Sequence, residues 1–540
     1  MTSDAPSRGS TVVLRVALRA RFATGRSMAT LARASFAPGL RPRRPNLRRA
    51  RASARDVSPR ANNDEGTRDA SSSDADPSRS APKRVTIVGG GMAGLGCLRA
   101  LSGLEDVQCT LLESTRVLGG RVRSKTALGA LAFDHGASYF TCKSDDAPFA
   151  EVLRAAESAG AVQLWSDPDG AHGSVGTART VLDVSSGHHV LDPDSFEPFP
   201  EFKRLYVGAP SMASLPSFVA DRLARAESPE ASWVGDNATP GVPEYLCSAY
   251  VDRIAHLARD DTASWGVRPH SQSRRRWGMM LRCREGGHMW YKPWECDVLV
   301  LATNAPTAAK LLRETTTPAS DDRGVARAAV DRLADAAADV RGDACWSLTV
   351  AFDRNLRLPH RGVALTPPHE SGIVWFANNS SKPGRPSEGR GAASAGWGYR
   401  WAEVGRAPET GEGECWVVQA SGAWSEARAD RPPDDVAREL CRLFLRVVGR
   451  DDGSVAAVHC KATKWNFAFP LNPANGDGGG EHSKTNTRTA LRKCLWEPEI
   501  GLGACGDWTS GPRAGDAYDA GYEMGRTVAE HLRGEASRET

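Results

Sequence analysis

A glycine-rich turn directly after a short apolar strand limits the folds open to this chain. Val85–Val88 is a β-branched run typical of a buried parallel strand, and Gly89-Gly-Gly-Met-Ala-Gly94 follows it without a gap. Gly89 permits the tight turn, Gly91 lets the backbone approach a pyrophosphate, and Gly94 lets the next helix pack on the strand. The pattern therefore predicts a βαβ unit of the dinucleotide-binding kind.

The residues after the turn complete this unit. Met92 and Ala93 open a helical pattern, whose N-terminus would offer free N–H groups and the positive end of its dipole to phosphate. Thr110-Leu-Leu-Glu113 is a second strand ended by an acid, 24 residues beyond the first glycine, as expected for the acid that binds a ribose hydroxyl. An acid there favours FAD or NAD over NADP. A glycine-rich turn in another α/β protein is the alternative.

Charge is divided unevenly along the chain. Residues 1–60 hold fourteen Arg, no Lys and only Asp4 and Asp56 as acids, which gives this segment a net charge of +12. Because the whole chain has a net charge of +4, the remainder carries −8. That acidic remainder argues against a nucleic-acid-binding surface. A segment rich in Arg, Ser and Ala predicts an organelle transit peptide over 1–60, with chloroplast favoured over mitochondrion. A basic tail that binds an acidic partner is the alternative, and residues 61–82 predict a disordered linker.

Length and cysteine usage exclude other classes. The 540 residues suffice for two or three domains, and no apolar run approaches the ~18 residues of a transmembrane segment. The twelve cysteines are scattered without a CxxC pair, so we predict no metal site. The expected partner is a small-molecule substrate, and the sequence leaves the oligomeric state open.

Further glycine motifs follow the first unit. Leu118-Gly-Gly-Arg121 predicts another close backbone approach, with Arg121 placed to pair with phosphate, and a surface turn as the alternative. Residues 147–165 show helical spacing, and the polar, Gly/Pro-rich residues 166–200 are expected to form a surface excursion. The apolar run from Asp297 to Ala302 predicts a strand that returns to the parallel sheet.

The C-terminal region predicts a strand and a helix that rejoin this sheet. Ile500–Gly506 reads as a short strand ending in Gly506-Asp507, and residues 516–532 read as a helix that Asp516 could N-cap. A strand and helix so far from the first unit imply a discontinuous domain.

Together these motifs resemble the flavin amine-oxidase superfamily, and most closely its renalase-like branch. The finer match is carried by Tyr206-Val-Gly-Ala-Pro-Ser-Met212, by Trp375-Phe-Ala-Asn-Asn-Ser-Ser-Lys-Pro-Gly-Arg385 and by Leu495–Asp507. It covers most of residues 83–533. The resemblance implies an α/β fold, with a Rossmann-type FAD-binding domain assembled from discontinuous segments and an α+β substrate domain with a mixed sheet.

Domain limits and the cofactor, FAD, follow from the resemblance. The FAD-binding domain would comprise 83–146, 211–310 and 495–535, and the substrate domain would comprise 147–210 and 311–494, with insertions at 384–413 and 471–488. The cofactor-binding residues implied are Gly89, Gly91, Met92, Ala93, Gly94, Glu113, Gly120, Arg121, Gly136, Ala137, Gly506, Asp507 and Ala517. One departure is Gly515-Asp516-Ala517, where related chains usually have Glu-Gly-Ala at the start of the last helix.

Candidate pocket residues are fewer and mostly aromatic. Trp and Phe side chains can wall a flat ring, and Asn and Lys can orient polar groups. The candidates are Tyr139, Trp375, Asn379, Lys382, Trp465 and Phe467. No catalytic base is assigned, because a dihydronicotinamide gives up hydride without deprotonation, and we interpret His135 as a structural histidine.

The sequence thus predicts an FAD-dependent oxidoreductase. It would transfer hydride from a small reduced substrate, of the dihydronicotinamide kind, to flavin N5, with O2 or another acceptor reoxidising the flavin. One alternative is an amine oxidase or desaturase-type flavoenzyme. Another is a flavin-binding protein without turnover that serves in assembly or partner binding.

Overall fold

The computed structural model describes residues 82–127, 131–165, 174–200, 204–223, 225–227, 241–257, 276–285, 288–318, 321, 324–366, 372–385, 413–474 and 493–539. The predictions for the transit peptide, the linker up to residue 81 and most of the two insertions lie outside these residues.

The helices are α1 (Met92–Leu101), α2 (Pro148–Ser158), α3 (Ser214–Leu223), α4 (Ala305–Arg313), α5 (Val325–Ala338), α6 (Gly422–Glu426), α7 (Pro433–Val447), α8 (Asp507–Ser510) and α9 (Ala514–Glu539). The strands are β1 (Lys83–Val88), β2 (Val107–Leu112), β3 (Lys125–Ala127), β4 (Leu131–Phe133), β5 (Val162–Leu164), β6 (Val175–Ala178), β7 (Thr180–Asp183), β8 (His188–Leu191), β9 (Glu197–Pro198), β10 (Tyr206–Gly208), β11 (Arg225–Glu227), β12 (Glu244–Leu246), β13 (Ala249–His256), β14 (Trp277–Glu285), β15 (His288–Cys296), β16 (Val298–Leu301), β17 (Gly342–Phe352), β18 (Gly362–Leu365), β19 (Ile373–Asn378), β20 (Glu414–Ala420), β21 (Ala457–Pro470), β22 (Leu495–Glu497) and β23 (Leu502–Ala504).

A mostly parallel sheet is built from distant parts of the chain. Its strand order is β11-β12-β2-β1-β16-β23-β22, and every pair is parallel except β22–β23. The four residues of β16 are all buried, as expected for a parallel strand covered on both faces. The predicted return of the chain at β16 and its C-terminal closure at β23 are therefore confirmed.

Different elements cover the two faces of this sheet. Helices α1, α2, α3 and α9 pack on one face, around Ile87 and Leu111. The antiparallel sheet β13-β14-β15, together with α4 and α5, packs on the other face, around Leu299 and Leu301. The result is the layered α/β arrangement that the sequence predicts.

Helices α1 and α9 approach so closely that their backbones touch. A Cβ added at Gly521 would lie 1.8 Å from the carbonyl oxygen of Ala93, and one at Gly96 would lie 2.1 Å from that of Tyr518. Both distances are far below a van der Waals contact, so only glycine fits at these two positions. The first and last helices of this unit are thereby fixed against each other.

A second, mixed sheet has the order β21-β17-β20-β19-β18-β6-β9. Helix α7 covers one of its faces, where Phe444 packs among Trp416, Phe376 and Phe352. Because side chains alternate along a strand, the intervening residues of β17, β19, β20 and β21 face the opposite way. That opposite face meets the segment after β4.

Three local expectations were wrong. Residues 175–178 form β6, a strand of the mixed sheet with buried Val175 and Ala178, rather than part of a surface excursion. The helix predicted over 147–165 ends at Ser158, and β5 follows it. The last helix begins at Ala514 rather than at residue 516.

No helix in the described part of the chain has the length and apolarity needed to cross a membrane. Within the same residues, no group of three or more His, Cys, Asp or Glu is arranged to hold a metal ion.

Candidate functional site

The glycine turn between β1 and α1 is braced by Glu113. Gly89 has a φ of +116°, which L side chains rarely adopt, and a Cβ at Gly94 would lie 1.9 Å from the carbonyl oxygen of Gly89. The buried Glu113 carboxylate accepts the Gly90 N–H at 2.9 Å through Oε2 and the Thr115 N–H at 2.7 Å through Oε1. Oε1 also accepts the Ser114 hydroxyl at 3.2 Å, whereas Oε2 keeps a lone pair that can accept a ribose hydroxyl.

The second glycine motif lies directly beside this turn. The Gly119 N–H donates to the carbonyl of Gly90 at 2.7 Å, and a Cβ at Gly120 would lie 3.4 Å from the Cα of Gly91. A Cβ at Gly91 would meet nothing within 4 Å, and no side chain caps α1 there. The two motifs thus leave an open, backbone-lined cradle at a helix N-terminus, which fits the pyrophosphate of a dinucleotide.

Arg121 joins the N-terminal motifs to the C-terminal one. Its guanidinium donates to Asp507 Oδ1 at 2.7 Å and to the carbonyl oxygen of Ala468 at 2.9 Å, and it lies 3.3 Å from the carbonyl oxygen of Phe467. The sequence predicts a phosphate partner for Arg121, whereas these bonds hold β21 and the Gly506-Asp507 motif beside the cradle.

Asp516 does not occupy the N-cap position that the sequence suggested, because α9 begins two residues earlier, at Ala514. Asp516 lies in the first turn, and its buried carboxylate lies 3.3 Å from the Arg513 N–H, the reciprocal half of a capping box. Lys143 lies 3.0 Å from the same carboxylate, which is therefore paired within the protein. Ala517 follows within this first turn, on the helix that packs against α1.

The segment from His135 to Tyr139 lies under the mixed sheet. Trp465 on β21 donates its indole N–H to the His135 carbonyl at 2.9 Å, and Gln419 on β20 donates to the Gly136 carbonyl at 2.7 Å. A Cβ at Gly136 would lie 1.9 Å from the Arg121 carbonyl oxygen, so this segment also touches the second glycine motif. Ala137 donates its N–H to that same carbonyl at 3.0 Å.

Four residues from neighbouring strands form one row across the mixed sheet, which we call the polar row. Thr463 is paired with Ser347, Ser347 with Gln419, and Gln419 with Trp375. Directly paired residues share a face, and Gln419 shows that this face meets Gly136. The Ser347 hydroxyl is fully buried and has no hydrogen-bond partner among the described residues. An orphaned hydroxyl on this face suits a ligand contact.

The aromatic candidates divide between this face and the core. Trp375 donates to the Ser138 hydroxyl at 2.9 Å, and its ring meets Tyr139 edge-on at 5.6 Å between centroids. Trp465 lies beside the His135 ring at 5.1 Å. Phe467 instead packs over Gly342 in the core, where a Cβ would lie 2.3 Å from its ring. The structure therefore brings Trp375 and Tyr139 into contact, places Trp465 at the His135 end of the same segment, and leaves Phe467 apart.

Asn379 and Lys382, the polar pocket candidates, are buried beneath this segment instead. Lys382 Nζ lies 2.9 Å and Arg385 Nη2 2.5 Å from Asp134 Oδ2, and all three side chains are at most 1% exposed. Asn379 accepts the Asp134 N–H at 3.3 Å and donates to the Ala132 carbonyl at 2.5 Å. These bonds reassign both residues from substrate contact to support of Asp134.

Charge in this buried cluster is unbalanced, with two cations around one carboxylate. Although burial alone would raise the pKa of Asp134, Lys382 and Arg385 lower it to about 2. Burial lowers the pKa of Lys382 to about 8 in spite of Asp134. Burial, together with Lys125 and Arg123, lowers the pKa of His135 to about 4, so this imidazole is neutral at pH 7.

Sequence reasoning missed Ser138, Ser347, Gln419, Thr463 and Asp134 as site residues. Period-two alternation could have found Gln419, because Trp416, Val418 and Ala420 are all core residues of β20. No local pattern signals Asp134, whose partners lie 248 and 251 residues away.

A family model described as an NAD(P)-binding Rossmann-like domain matches residues 87–156. The match includes the glycine turn, Glu113 and the second glycine motif, so the predicted Rossmann-type fold is confirmed.

Several solved structures align with this chain at low sequence identity. A putative protoporphyrinogen oxidase from an Exiguobacterium species aligns with 11% identity and a TM-score of 0.48, covering 84% of this chain and 99% of that one. Cyclohexylamine oxidase from Brevibacterium oxydans aligns with 11% identity and a TM-score of 0.47, covering 84% of this chain and 100% of that one. A reduced UDP-galactopyranose mutase aligns with 10% identity and a TM-score of 0.49, covering 85% of this chain and 95% of that one.

Proposed function

We propose that this protein is an FAD-dependent oxidoreductase of the flavin amine-oxidase superfamily, within its renalase-like branch. The observation that carries the proposal is the Arg121–Asp507 bond, which fixes the C-terminal Gly-Asp motif beside the backbone cradle of Gly91 and Gly120. The glycine turn and Glu113 alone would suit the ADP moiety of either NAD or FAD. The resemblance to the flavin family implies that a distant C-terminal strand and helix complete an FAD site, and the Arg121–Asp507 bond supports that arrangement.

The substrate would lie beside the polar row and the segment around Gly136, which Gln419 and Trp375 join to each other by direct hydrogen bonds. Trp375 and Trp465 supply flat apolar walls there, and Ser347 and Gln419 supply polar contacts, which suits a small planar molecule of the dihydronicotinamide kind. When bound, FAD would supply the hydride acceptor, with O2 or another acceptor closing the cycle. His135 is neutral at pH 7, and a dihydronicotinamide needs no base to give up its hydride.

The cofactor half of the proposal is tested by the visible spectrum of the purified full-length chain. We expect flavin absorption bands after reconstitution with FAD and none of comparable occupancy after incubation with FMN, because Glu113 and the cradle lie where an ADP moiety would bind. Tight retention of NAD without any flavin band would refute it.

The substrate half is tested by anaerobic mixing with dihydronicotinamide isomers and, separately, with primary and secondary amines. We expect a dihydronicotinamide to bleach the flavin bands and the amines to leave them unchanged. Bleaching by an amine alone would favour the amine-oxidase alternative. Retention of FAD without bleaching by any donor would favour a binding protein without turnover.

We also propose organelle import, with chloroplast favoured over mitochondrion, on the basis of the basic, acid-poor residues 1–60. A fluorescent reporter fused to residues 1–82 should enter plastids, and the same reporter with those arginines changed to glutamine should remain in the cytosol. A cytosolic location of the unaltered fusion would refute the proposal.

A further inference from the structure

Helices α1 and α9 run in the same direction, so their N-termini lie at the same end of this helix pair. A Cβ added at Gly521 would meet the carbonyl oxygen of Ala93, and one at Gly525, four residues later, would lie 2.6 Å from the carbonyl oxygen of Cys97, also four residues later. Helix α9 begins seven residues before Gly521, whereas α1 begins one residue before Ala93. At 1.5 Å per residue, the start of α9 therefore extends up to about 9 Å beyond the start of α1, on the side of the cradle.

Two further contacts place the start of α9 between the cradle and the segment that meets the polar row. Arg121 holds Asp507 beside the cradle, and α9 begins seven residues after Asp507. From the other side, Lys143 follows Tyr139 by four residues, and its Nζ lies 3.0 Å from Asp516 in the first turn of α9. A ligand that reaches from the cradle to the polar row would therefore pass beside this helix start.

The two helix starts differ in charge. Helix α1 has no acid in its first turn, so its positive end can serve phosphate. The first turn of α9 contains Asp516, which is 6% exposed, whereas its partners Lys143 and Arg513 are 57% and 52% exposed. A helix N-terminus carries roughly half an elementary positive charge, so one carboxylate more than offsets it. Because solvent screens the two exposed cations more than the buried carboxylate, a negative contribution remains.

We propose that Asp516 disfavours negative charge on the flavin ring and thereby lowers the reduction potential of bound FAD. The inference rests on the proposed function, because it requires bound FAD. Hydride transfer to N5 leaves one added negative charge on the ring, and a nearby carboxylate raises the free energy of that charge. Asp516 acts through the electrostatic field of the site and is not a catalytic residue.

A lowered potential has a consequence for the donor and for the acceptor. It restricts the chain to strongly reducing donors, because a weak donor would leave most of the flavin oxidised at equilibrium. It also makes the reduced cofactor a stronger reductant toward the acceptor that closes the cycle.

Asp519 provides a matched control on the same helix, one turn further from its start. Its buried carboxylate accepts the Phe149 N–H at 2.9 Å and lies 3.7 Å from Lys493, so it serves the first turn of α2. Asparagine at position 516 or 519 keeps an oxygen that accepts the same backbone N–H. The two variants therefore remove the same charge at different distances from the start of α9.

The test is titration of the full-length, FAD-loaded chain with sulfite, followed in the visible spectrum. Sulfite forms an S–N bond to flavin N5 and leaves negative charge on the ring, so its Kd measures how well the protein stabilises that charge. We expect Asp516→Asn to bind sulfite at least about tenfold more tightly than the parent chain, and Asp519→Asn to change the Kd less than about threefold. The same tenfold change, expressed as a two-electron reduction potential, is a rise of about 30 mV.

A third variant should act in the opposite direction. Lys143→Met removes a cation that offsets Asp516, so it should weaken sulfite binding, and the Tm of each variant checks that it is folded. Unchanged sulfite affinity in FAD-loaded Asp516→Asn, or equal gains in Asp516→Asn and Asp519→Asn, would overturn this inference and leave the proposed function standing. A chain without flavin bands after reconstitution would overturn the proposed function and this inference with it.

Discussion

Replacement of Asp134 by asparagine tests whether the buried ion cluster holds the segment beneath the mixed sheet. The carboxylate accepts from Lys382 and Arg385, from the Ser124 hydroxyl at 2.6 Å and from the Met212 N–H at 3.1 Å. Asparagine keeps the shape but removes the carboxylate that, among the described residues, pairs with two fully buried cations. Uncompensated buried charge of this kind costs about 3–5 kcal/mol. For a chain of this length that corresponds to a fall in Tm of roughly 3–5 °C by scanning calorimetry.

The matched variant is Lys382→Met, because it leaves one carboxylate facing one cation. We expect it to cost much less than Asp134→Asn, and we expect the double variant to be more stable than Asp134→Asn alone, since one uncompensated cation is then gone. Equal losses for the two single variants, without recovery in the double variant, would refute the electrostatic reasoning and indicate that packing alone holds the cluster.

The pH dependence gives an independent check on the same cluster. The pKa of Asp134 falls from 3.8 to about 2 on folding, so its contribution is fully present above about pH 4 and is lost as the pH falls through 2. A shift of that size corresponds to about 2 kcal/mol. The difference in stability between the parent chain and Asp134→Asn should therefore narrow between pH 4 and pH 2. A difference that stays constant over this range would contradict the role of the ionised carboxylate.

Three further changes test the cradle and the polar row. Gly521→Ala should lower the Tm and the flavin content, because the added Cβ pushes α9 away from Ala93. The control is Gly534→Ala, where a Cβ meets nothing, and it should raise the free energy of unfolding by up to about 1 kcal/mol. Equal effects of the two variants would refute the close helix contact. Ser347→Ala should raise KM severalfold with flavin content and Tm unchanged; an unchanged KM would remove Ser347 from the site. Arg121→Met should cost flavin affinity at least tenfold, in equilibrium dialysis with FAD, because Asp507 loses its cation; unchanged affinity would contradict the assembly of the site around that bond.

The parallel sheet was predictable because its strands can be recognised from short local sequence patterns. Val298–Leu301 is apolar at every position, as a strand covered on both faces must be, and the glycines at 89 and 94 mark the turn and the helix contact. Strand β6 was missed because its Gly176 reads as a loop residue. A Cβ there would lie 2.1 Å from the Glu197 carbonyl oxygen, so the glycine serves close packing against β9.

The candidate site was harder to predict for a related reason. Lys382 follows a run of Asn and Ser that reads as a polar pocket lining, yet its partner, Asp134, lies 248 residues away. No periodicity encodes a pairing at that separation. Gln419 and Ser347 are polar residues of two mainly apolar strands, and only the register of the sheet places them side by side.

The close contact between α1 and α9 has a consequence for how the protein is made. Strands β1 and β2 leave the ribosome about 390 residues before β23, which takes roughly 20–80 s at ordinary rates of translation. During that interval the surface of α1 around Gly96 lacks α9, and the edge of β16 lacks β23 from the time β16 has been synthesised. An unpaired parallel edge is a template for wrong pairing. The nascent chain is therefore expected to depend on chaperones until residues 502–539 emerge, and a ribosome stalled before them should hold an N-terminal unit that remains sensitive to protease.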